Sequence, residues 1–282
     1  MSKKKIAIQG ELGAYSHIAV ESLYKNAEIQ TCATFEETFK QAYNDQECKI
    51  VIPIENSLAG RVADIHYLLP KYKLQIHGEH FQAVEHNLLC KPEANIGDIK
   101  FVRSHAQALG QCQNLINKRK FKPIISADTA GSAKDLAEGS DKSIAAIASA
   151  LSAKIYNLKI LEKNIEDEKG NVTRFLIMGK SIEQPEFDDK KKFITSCIFR
   201  VKSEPSALYK CLGGFATNQV NLTKLESFSV KNTFDQVNFY IDIEGHIEEK
   251  SLQKALEELG FHTQKLDVLG VYKAHEFRFK NK

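Results

Sequence analysis

What most constrains this chain is an alternation that starts at residue 5 and runs to residue 178: short apolar runs, each followed by a segment with helical spacing. Residues 5–9 form an apolar run that ends in Gly10, residues 15–23 carry helical spacing, and residues 29–32 form a second strand. Thr34 opens a helix, with Glu37 placed to complete a capping box. Residues 49–52 are a third strand, which Pro53 should stop. After residue 73 the pattern returns. Residues 101–103 read as a strand and 104–117 as a helix with Leu109, Cys112, Leu115 and Ile116 on one side. The spans 121–125, 128–137, 143–147 and 149–156 continue the alternation, and 172–178 closes it as a strand. Such a chain is expected to be α/β with largely parallel sheets, its functional groups lying where strands end and helices begin.

The pattern then changes. Residues 179–192 hold Pro185, Asp188, Asp189 and the run Lys190-Lys191-Lys192, and read as a linker with solvated charges. Strands follow at 193–201, 220–230, 235–243 and 263–271, with helices at 205–216 and 248–259. That order, βαββαβ, is the split βαβ or ferredoxin-like arrangement.

Composition narrows the function classes. A length of 282 residues suggests about two domains. A net charge of +3 gives no broad footprint for nucleic acid. The longest uncharged apolar stretch, 143–153, is too short to span a membrane and holds three serines. Lys3, Lys4 and Lys5 precede only a short apolar run, which is not a signal peptide. The cysteines, Cys32, Cys48, Cys90, Cys112, Cys197 and Cys211, lie at least fourteen residues apart, so no zinc-finger or CxxC spacing exists. They are expected to be reduced thiols, and the protein cytoplasmic, with no metal.

Five segments carry candidate chemistry. Gln9–Ser16 joins a strand to a helix through Gly10 and Gly13 but lacks the third glycine of a dinucleotide fingerprint. A tight turn ranks first there, an anion site on the helix-start N–H groups second, and a nucleotide last. Pro53, Glu55, Asn56, Ser57 and Gly60 gather acceptors and donors after a strand, where capping and turn roles are the default. In 104–112, Ser104 and Gln107 fit a capping box, and Gln107 and Gln111 share a helix face with Ser104. His105 there has no nucleophilic partner at motif spacing. Residues 128–133 are a polar helix start, either a simple N-cap or a second anion site around Thr129. Finally, Asn171-Val172-Thr173-Arg174-Phe175 reads as a strand whose Arg174 is either a surface ion-pair partner or a bidentate carboxylate grip.

Taken together and in this order, the five segments resemble prephenate dehydratase, in its bacterial form with a C-terminal ACT regulatory domain. The P-x-E-N-S-x-x-G motif is matched by Pro53, Glu55, Asn56, Ser57 and Gly60, and S-H-x-Q-A-L-x-Q-C by Ser104 to Cys112. The T-R-F signature is matched by Thr173-Arg174-Phe175, preceded by Glu166-Asp167 and Asn171. Asn221-Leu222-Thr223-Lys224-Leu225-Glu226-Ser227 and Glu244-Gly245-His246 resemble ACT sequence.

The resemblance implies a catalytic domain over 4–180, similar to type 2 periplasmic-binding proteins. Its two lobes would be 4–77 with 172–180, and 78–171. A linker would follow over 181–192 and an ACT domain over 193–277. The implied reaction is prephenate to phenylpyruvate with loss of CO2 and water, driven by aromatisation and needing no cofactor. It carries the acid role to Thr173, with Glu55, Asn56, Ser104 and Gln111 as further catalytic residues. Substrate contacts would come from Ala14, Ser57, Gln107, Thr129, Arg174 and Phe175. An amino acid, with L-phenylalanine as the family's effector, would bind at Ser206, Ala207, Leu208, Asn221, Leu222, Glu226 and Ser227 in a homodimer or homotetramer formed through ACT domains. The sequence departs from the family there: Ser206 stands where P-G-A-L has glycine, and Phe228-Ser229 replace the arginine and proline of E-S-R-P. Arogenate dehydratase, or a non-catalytic sensor with the same cleft, are the competing readings.

Overall fold

A computed structural model describes residues 3–230, 233 and 236–280. The chain opens with β1 (Lys5–Gln9), α1 (Tyr15–Leu23), β2 (Glu28–Cys32), α2 (Phe35–Asn44), β3 (Lys49–Asn56), β4 (Gly60–Arg61), α3 (Ala63–Tyr72) and β5 (Gln75–Ala83). It continues with β6 (Asn87–Cys90), β7 (Phe101–His105), α4 (Ala106–Gly110), α5 (Gln113–Arg119), β8 (Lys122–Ser126), α6 (Thr129–Glu138), β9 (Ile144–Ala148), α7 (Ala150–Ile155), β10 (Lys159–Glu162) and β11 (Val172–Gly179). The last part is β12 (Phe193–Val201), α8 (Ala207–Thr217), β13 (Leu222–Ser229), β14 (Val237–Glu244), α9 (Lys250–His262) and β15 (Thr263–Lys273), then a 3-10 turn over Glu276–Phe279. The fold is mixed α/β with three sheets, ordered β2-β1-β3-β11-β5 with β4 beside β3, then β10-β6-β9-β7-β8, then β13-β14-β12-β15. Asp235, the expected start of the strand that became β14, lies outside the described residues.

Contacts divide the chain into two compact units. One comprises Met1–Thr38, Val51–Arg61 and Phe81–Phe175; the other comprises Phe39–Ile50, Val62–His80 and Leu176–Lys282. In the first unit, β1 pairs with β2 in parallel, and β7 pairs in parallel with both β8 and β9. Helices between these strands provide the crossovers that parallel pairing needs. The expectation of largely parallel sheets fails at β6, which runs antiparallel to both β9 and β10. Its core packs Leu88, Val102, Leu109, Ile116, Phe121 and Ile147. In the second unit, β12, β13, β14 and β15 form a wholly antiparallel sheet. Phe199, Phe215, Ile241, Leu252 and Leu259 fill the core that α8 and α9 share with it.

Three local expectations are corrected. β3 continues through Pro53 to Asn56, because proline's fixed φ is tolerated in extended backbone at the loss of one ladder donor. The helix expected over 104–117 is two helices: Ser104 ends β7, His105 is the N-cap, and the chain breaks at Gln111 and Cys112. Ser104 therefore forms no capping box. The Thr34 box is present in altered form, with Glu37 N donating to Thr34 Oγ1 while Glu37 Oε2 accepts from Ala33 N.

Residues 180–192 contain no helix or strand, yet several contacts fix them within the second unit. Glu183 Oε2 accepts from Lys49 Nζ at 2.6 Å, Ser181 O meets His77 Nε2 at 2.8 Å, and Pro185 O meets His246 Nε2 at 2.9 Å.

Candidate active site

The site grows from a turn. Asn56 ends β3, and its Oδ1 accepts from the backbone N–H of Leu58 at 3.1 Å and of Ala59 at 2.9 Å. This side-chain turn fixes which end of the amide is oxygen. Asn56 Nδ2 therefore donates, to Asn171 Oδ1 at 2.6 Å and to Thr173 Oγ1 at 2.9 Å. Asn171 Nδ2 donates to Gln111 Oε1 at 3.1 Å, and His86 Nε2 lies 2.9 Å from that same oxygen. The other ring nitrogen of His86 meets Tyr15 Oη at 3.1 Å. Five separate stretches of the sequence thus meet in one largely buried polar chain.

Backbone contacts hold the chain in place. Ser57 N donates to Val172 O, and Val172 N donates to Ser57 Oγ, both at 2.9 Å. Val84 N donates to Asn171 O. The acidic pair before the T-R-F triplet has a visible role: Glu166 Oε2 accepts from His86 N at 2.9 Å, and Asp167 N donates to Gln111 O at 2.7 Å. Burial pushes the His86 pKa down from its ordinary value, outweighing the opposing influence of Gln111 and Glu166, so its ring is neutral at pH 7.

The direction of donation matters chemically. Thr173 Oγ1 accepts from Asn56, and among the described residues its own proton meets no acceptor. The Gln111 amide N–H groups are likewise left to a ligand, because only the oxygen of that amide joins the chain. Neither Thr173 nor Asn56, Asn171, Gln111 or neutral His86 brings a carboxylate into the network.

The other expected site residues fall elsewhere. Strand alternation sends Glu55 and Arg174 to the face opposite Asn56 and Thr173. There Arg174, 2% exposed, places Nη1 3.0 Å from Glu55 Oε1. Arg174 is thus a buried partner of the chain's own carboxylate and not an open carboxylate grip. Glu55 does not reach Thr173. Phe175 is a core residue at 2% exposure. Ser104 is fully buried, and its Oγ donates to Ile147 O at 2.7 Å, so its hydroxyl serves the sheet. Gln107 is exposed and outside the network.

At the first expected anion site the Gly13 and Ala14 N–H groups are spent within the protein, and the second expected site carries a side-chain cap. Gly13 N donates to His17 Nδ1 at 2.9 Å, and Ala14 N donates to Glu11 O at 3.2 Å. Gly13 O accepts from Ser149 Oγ at 2.6 Å and Ser152 Oγ at 3.1 Å. With φ of +92°, and with Ser152 where a Cβ would stand, Gly13 is required by a docked turn. At the start of α6, beside Thr129, Asp128 Oδ1 accepts from Gly131 N at 2.6 Å, so the N-cap reading holds and a carboxylate already occupies that helix end.

In the C-terminal βαββαβ segment, Ser206 precedes α8 with φ of +61°. Left-handed backbone there favours glycine and strains a serine. Ala207 is buried, Leu208 packs against the core, and Leu222 is half-buried on β13. Asn221 Nδ2 donates to Glu244 Oε2 at 3.0 Å, and Glu226 lies 3.7 Å from Lys224. Ser227 pairs with Phe239 in the sheet.

Sequence reasoning missed His86 and Tyr15 as site members. His86 stands outside all five segments and Tyr15 lies within the first, Gln9–Ser16, but only the fold shows that His86 meets both Tyr15 and Gln111. The six cysteines are free and buried. Among the described residues no cluster has the makings of a metal site, and no helix is long and apolar enough to cross a membrane.

Comparison with known proteins agrees with this geometry. Residues 6–183 match the prephenate dehydratase family model. The chain is 41% identical over 278 residues to a Komagataeibacter europaeus protein named bifunctional N-acyl-homoserine lactone acylase/prephenate dehydratase, covering 98% of each. It is 38% identical to arogenate dehydratase/prephenate dehydratase 2 of Arabidopsis thaliana, over 96% of this chain and 73% of that one. The structure of the Arthrobacter aurescens prephenate dehydratase, solved in complex with L-Phe, shares the fold with a TM-score of 0.88 at 24% identity, covering 96% of this chain and 90% of that chain. The match of residues 6–183 to the family model, with 41% and 38% identity to two relatives over nearly the whole of this chain, places it in the prephenate dehydratase family.

Proposed function

We infer that the chain catalyses the decarboxylating dehydration of prephenate to phenylpyruvate, a carbon–oxygen lyase step in phenylalanine biosynthesis. The observation that carries this reading is Thr173, whose oxygen accepts from Asn56 while its proton remains to be donated. In the reaction the bond between the ring and its carboxylate breaks, and that electron pair moves into the ring as it becomes aromatic. The ring carbon–oxygen bond breaks opposite, and the departing hydroxide takes a proton to leave as water. Thr173 Oγ–H is placed to donate to that oxygen, with Asn56 holding the hydroxyl in the donating orientation. A threonine is a weak acid, but a neutral donor does not repel a dianionic substrate as a carboxylate would. The Gln111 N–H groups offer a second contact. Departure of CO2 is favoured where water is excluded, and buried Asn56, Asn171 and Thr173 supply such a setting.

The domain division that fits this reading is a catalytic domain over 4–180 with two binding-protein-like lobes, a connecting segment over 181–192, and an ACT regulatory domain over 193–277. The βαββαβ order and the antiparallel sheet support the last of these. ACT pairing into a homodimer or homotetramer, with an amino-acid effector at the Ser206–Leu208 and Asn221–Ser227 segments, follows from it. The complex with L-Phe of the Arthrobacter relative gives phenylalanine as the effector to titrate. Six unbridged cysteines support a cytoplasmic location.

Incubation with prephenate, followed by phenylpyruvate absorbance in alkali, tests the reading; no product would sink it. The Arabidopsis relative's double name makes arogenate the second substrate to assay, with phenylalanine as its product. The acylase named for the Komagataeibacter relative needs an activated nucleophile. Cys112, the core cysteine next to Gln111 in the sequence, does not offer one: burial, reinforced by Asp167 and Glu166, pushes its thiol up to about 12.

A further inference from the structure

We propose that His86 is a positioning residue for the Thr173 hydroxyl, acting through Gln111 and Asn171: its Nε2–H holds the Gln111 amide in the one orientation that lets the chain run to Asn56. The argument starts from the fixed end. Asn56 Oδ1 is committed to two backbone N–H groups, so Nδ2 faces Asn171 and Thr173. Asn171 must then present Oδ1 to Asn56 and Nδ2 to Gln111. Gln111 must present Oε1, which leaves His86 as a donor through Nε2. Reversing any member would set two donors or two acceptors against each other in a buried place.

One tautomer of His86 is thus dictated from Asn56, three hydrogen bonds away. In that tautomer Nδ1 is an acceptor 3.1 Å from Tyr15 Oη, whose single proton also reaches Glu85 O at 2.7 Å; the backbone N is held by Glu166, and the backbone O accepts from Ile165 N at 2.9 Å. Without the imidazole, the Gln111 oxygen keeps only the Asn171 Nδ2 donor at 3.1 Å. Its amide can then turn, Asn171 loses its acceptor, and the support beside Thr173 slackens.

The kinetic part of this inference rests on the dehydratase reading; the tautomer does not. Long-range 1H–15N correlation of the histidine rings in the full-length protein should show His86 protonated at Nε2. In the Asn171→Ala variant that preference should weaken. A ring protonated at Nδ1 in the wild type would overturn the proposal whatever the enzyme's substrate.

In steady-state assays with prephenate, His86→Ala should lose about tenfold in kcat with KM within about threefold. His86→Gln, whose terminal amide can still donate to Gln111, should recover most of the loss. The double variant His86→Ala with Asn171→Ala should be no slower than Asn171→Ala alone. Unchanged kcat in His86→Ala, no recovery in His86→Gln, or additive losses in the double variant would each reject the positioning role while leaving the dehydratase reading intact. No turnover of prephenate by the wild type would reject that reading, and the spectrum would still decide the tautomer.

Discussion

Two buried polar clusters in this molecule look alike in a list of contacts and differ in kind. At the site, Asn56, Asn171, Gln111 and His86 form a neutral chain that ends on the oxygen of Thr173. In the second unit, Ser196 Oγ and Tyr240 Oη both donate to Asp242 Oδ1, and Tyr272 Oη lies 2.8 Å from Ser196. Beside them Arg278 grips Glu79 bidentately, at 2.7 and 2.8 Å, and stands 3.8 Å from Asp242. There the hydroxyl protons of Ser196 and Tyr240 turn inward to a carboxylate, and the guanidinium is matched by acids. At the site the order is reversed: the hydroxyl oxygen accepts inside and the proton is left for something else. The hydroxyls of the second unit brace the fold, whereas on the proposed function the Thr173 hydroxyl keeps its proton for the substrate.

Substitutions can break this contrast. Thr173→Ala should lower kcat by about 10²–10⁴-fold with KM little changed and thermal stability nearly intact; a large rise in KM with kcat intact would make Thr173 a binding residue. Arg278→Ala should do the opposite, leaving Glu79 buried without its bidentate partner and costing about 3–5 kcal/mol in urea unfolding. Turnover by the folded fraction should persist, and a kcat loss out of proportion to unfolding would mean that the brace also serves the chemistry.

Smaller effects sharpen the picture. Asp128→Ala removes the α6 cap and should cost about 1 kcal/mol of stability without lowering KM. A markedly lower KM would restore the anion-site reading of that helix end. Ser206→Gly relieves a left-handed residue and should raise the free energy of urea unfolding by no more than about 1 kcal/mol.

The periodic parts of the fold were legible. The spans expected at 5–9, 15–23 and 193–201 are β1, α1 and β12, because apolar spacing alone decides such elements. Pro53 and Ser104 misled because local propensity yields to sheet pairing: β3 carries the proline, and the Ser104 hydroxyl is taken by Ile147 O. Within the site, Thr173, Asn56 and Gln111 were found through their motifs. Arg174 was singled out too, but its pairing with Glu55 was not, since a sequence shows a charge and not which face of a strand it occupies. His86 stayed hidden because its role depends on a glutamine 25 residues further along the chain, and no local pattern encodes that meeting.

The neutrality of the Thr173 chain has a consequence for how the enzyme should answer to acidity. Threonine, asparagine and glutamine side chains do not titrate in the neutral range, and burial carries the Tyr15 pKa well above its ordinary value of 10.0. His86, held below its ordinary value of 6.5, is half-charged at some pH below that point. From about pH 7.5 upward, a full unit above that ordinary value, no member of the relay changes its proton count appreciably, and a plot of kcat against pH should be a plateau where catalysis by a paired acid and base would draw a bell.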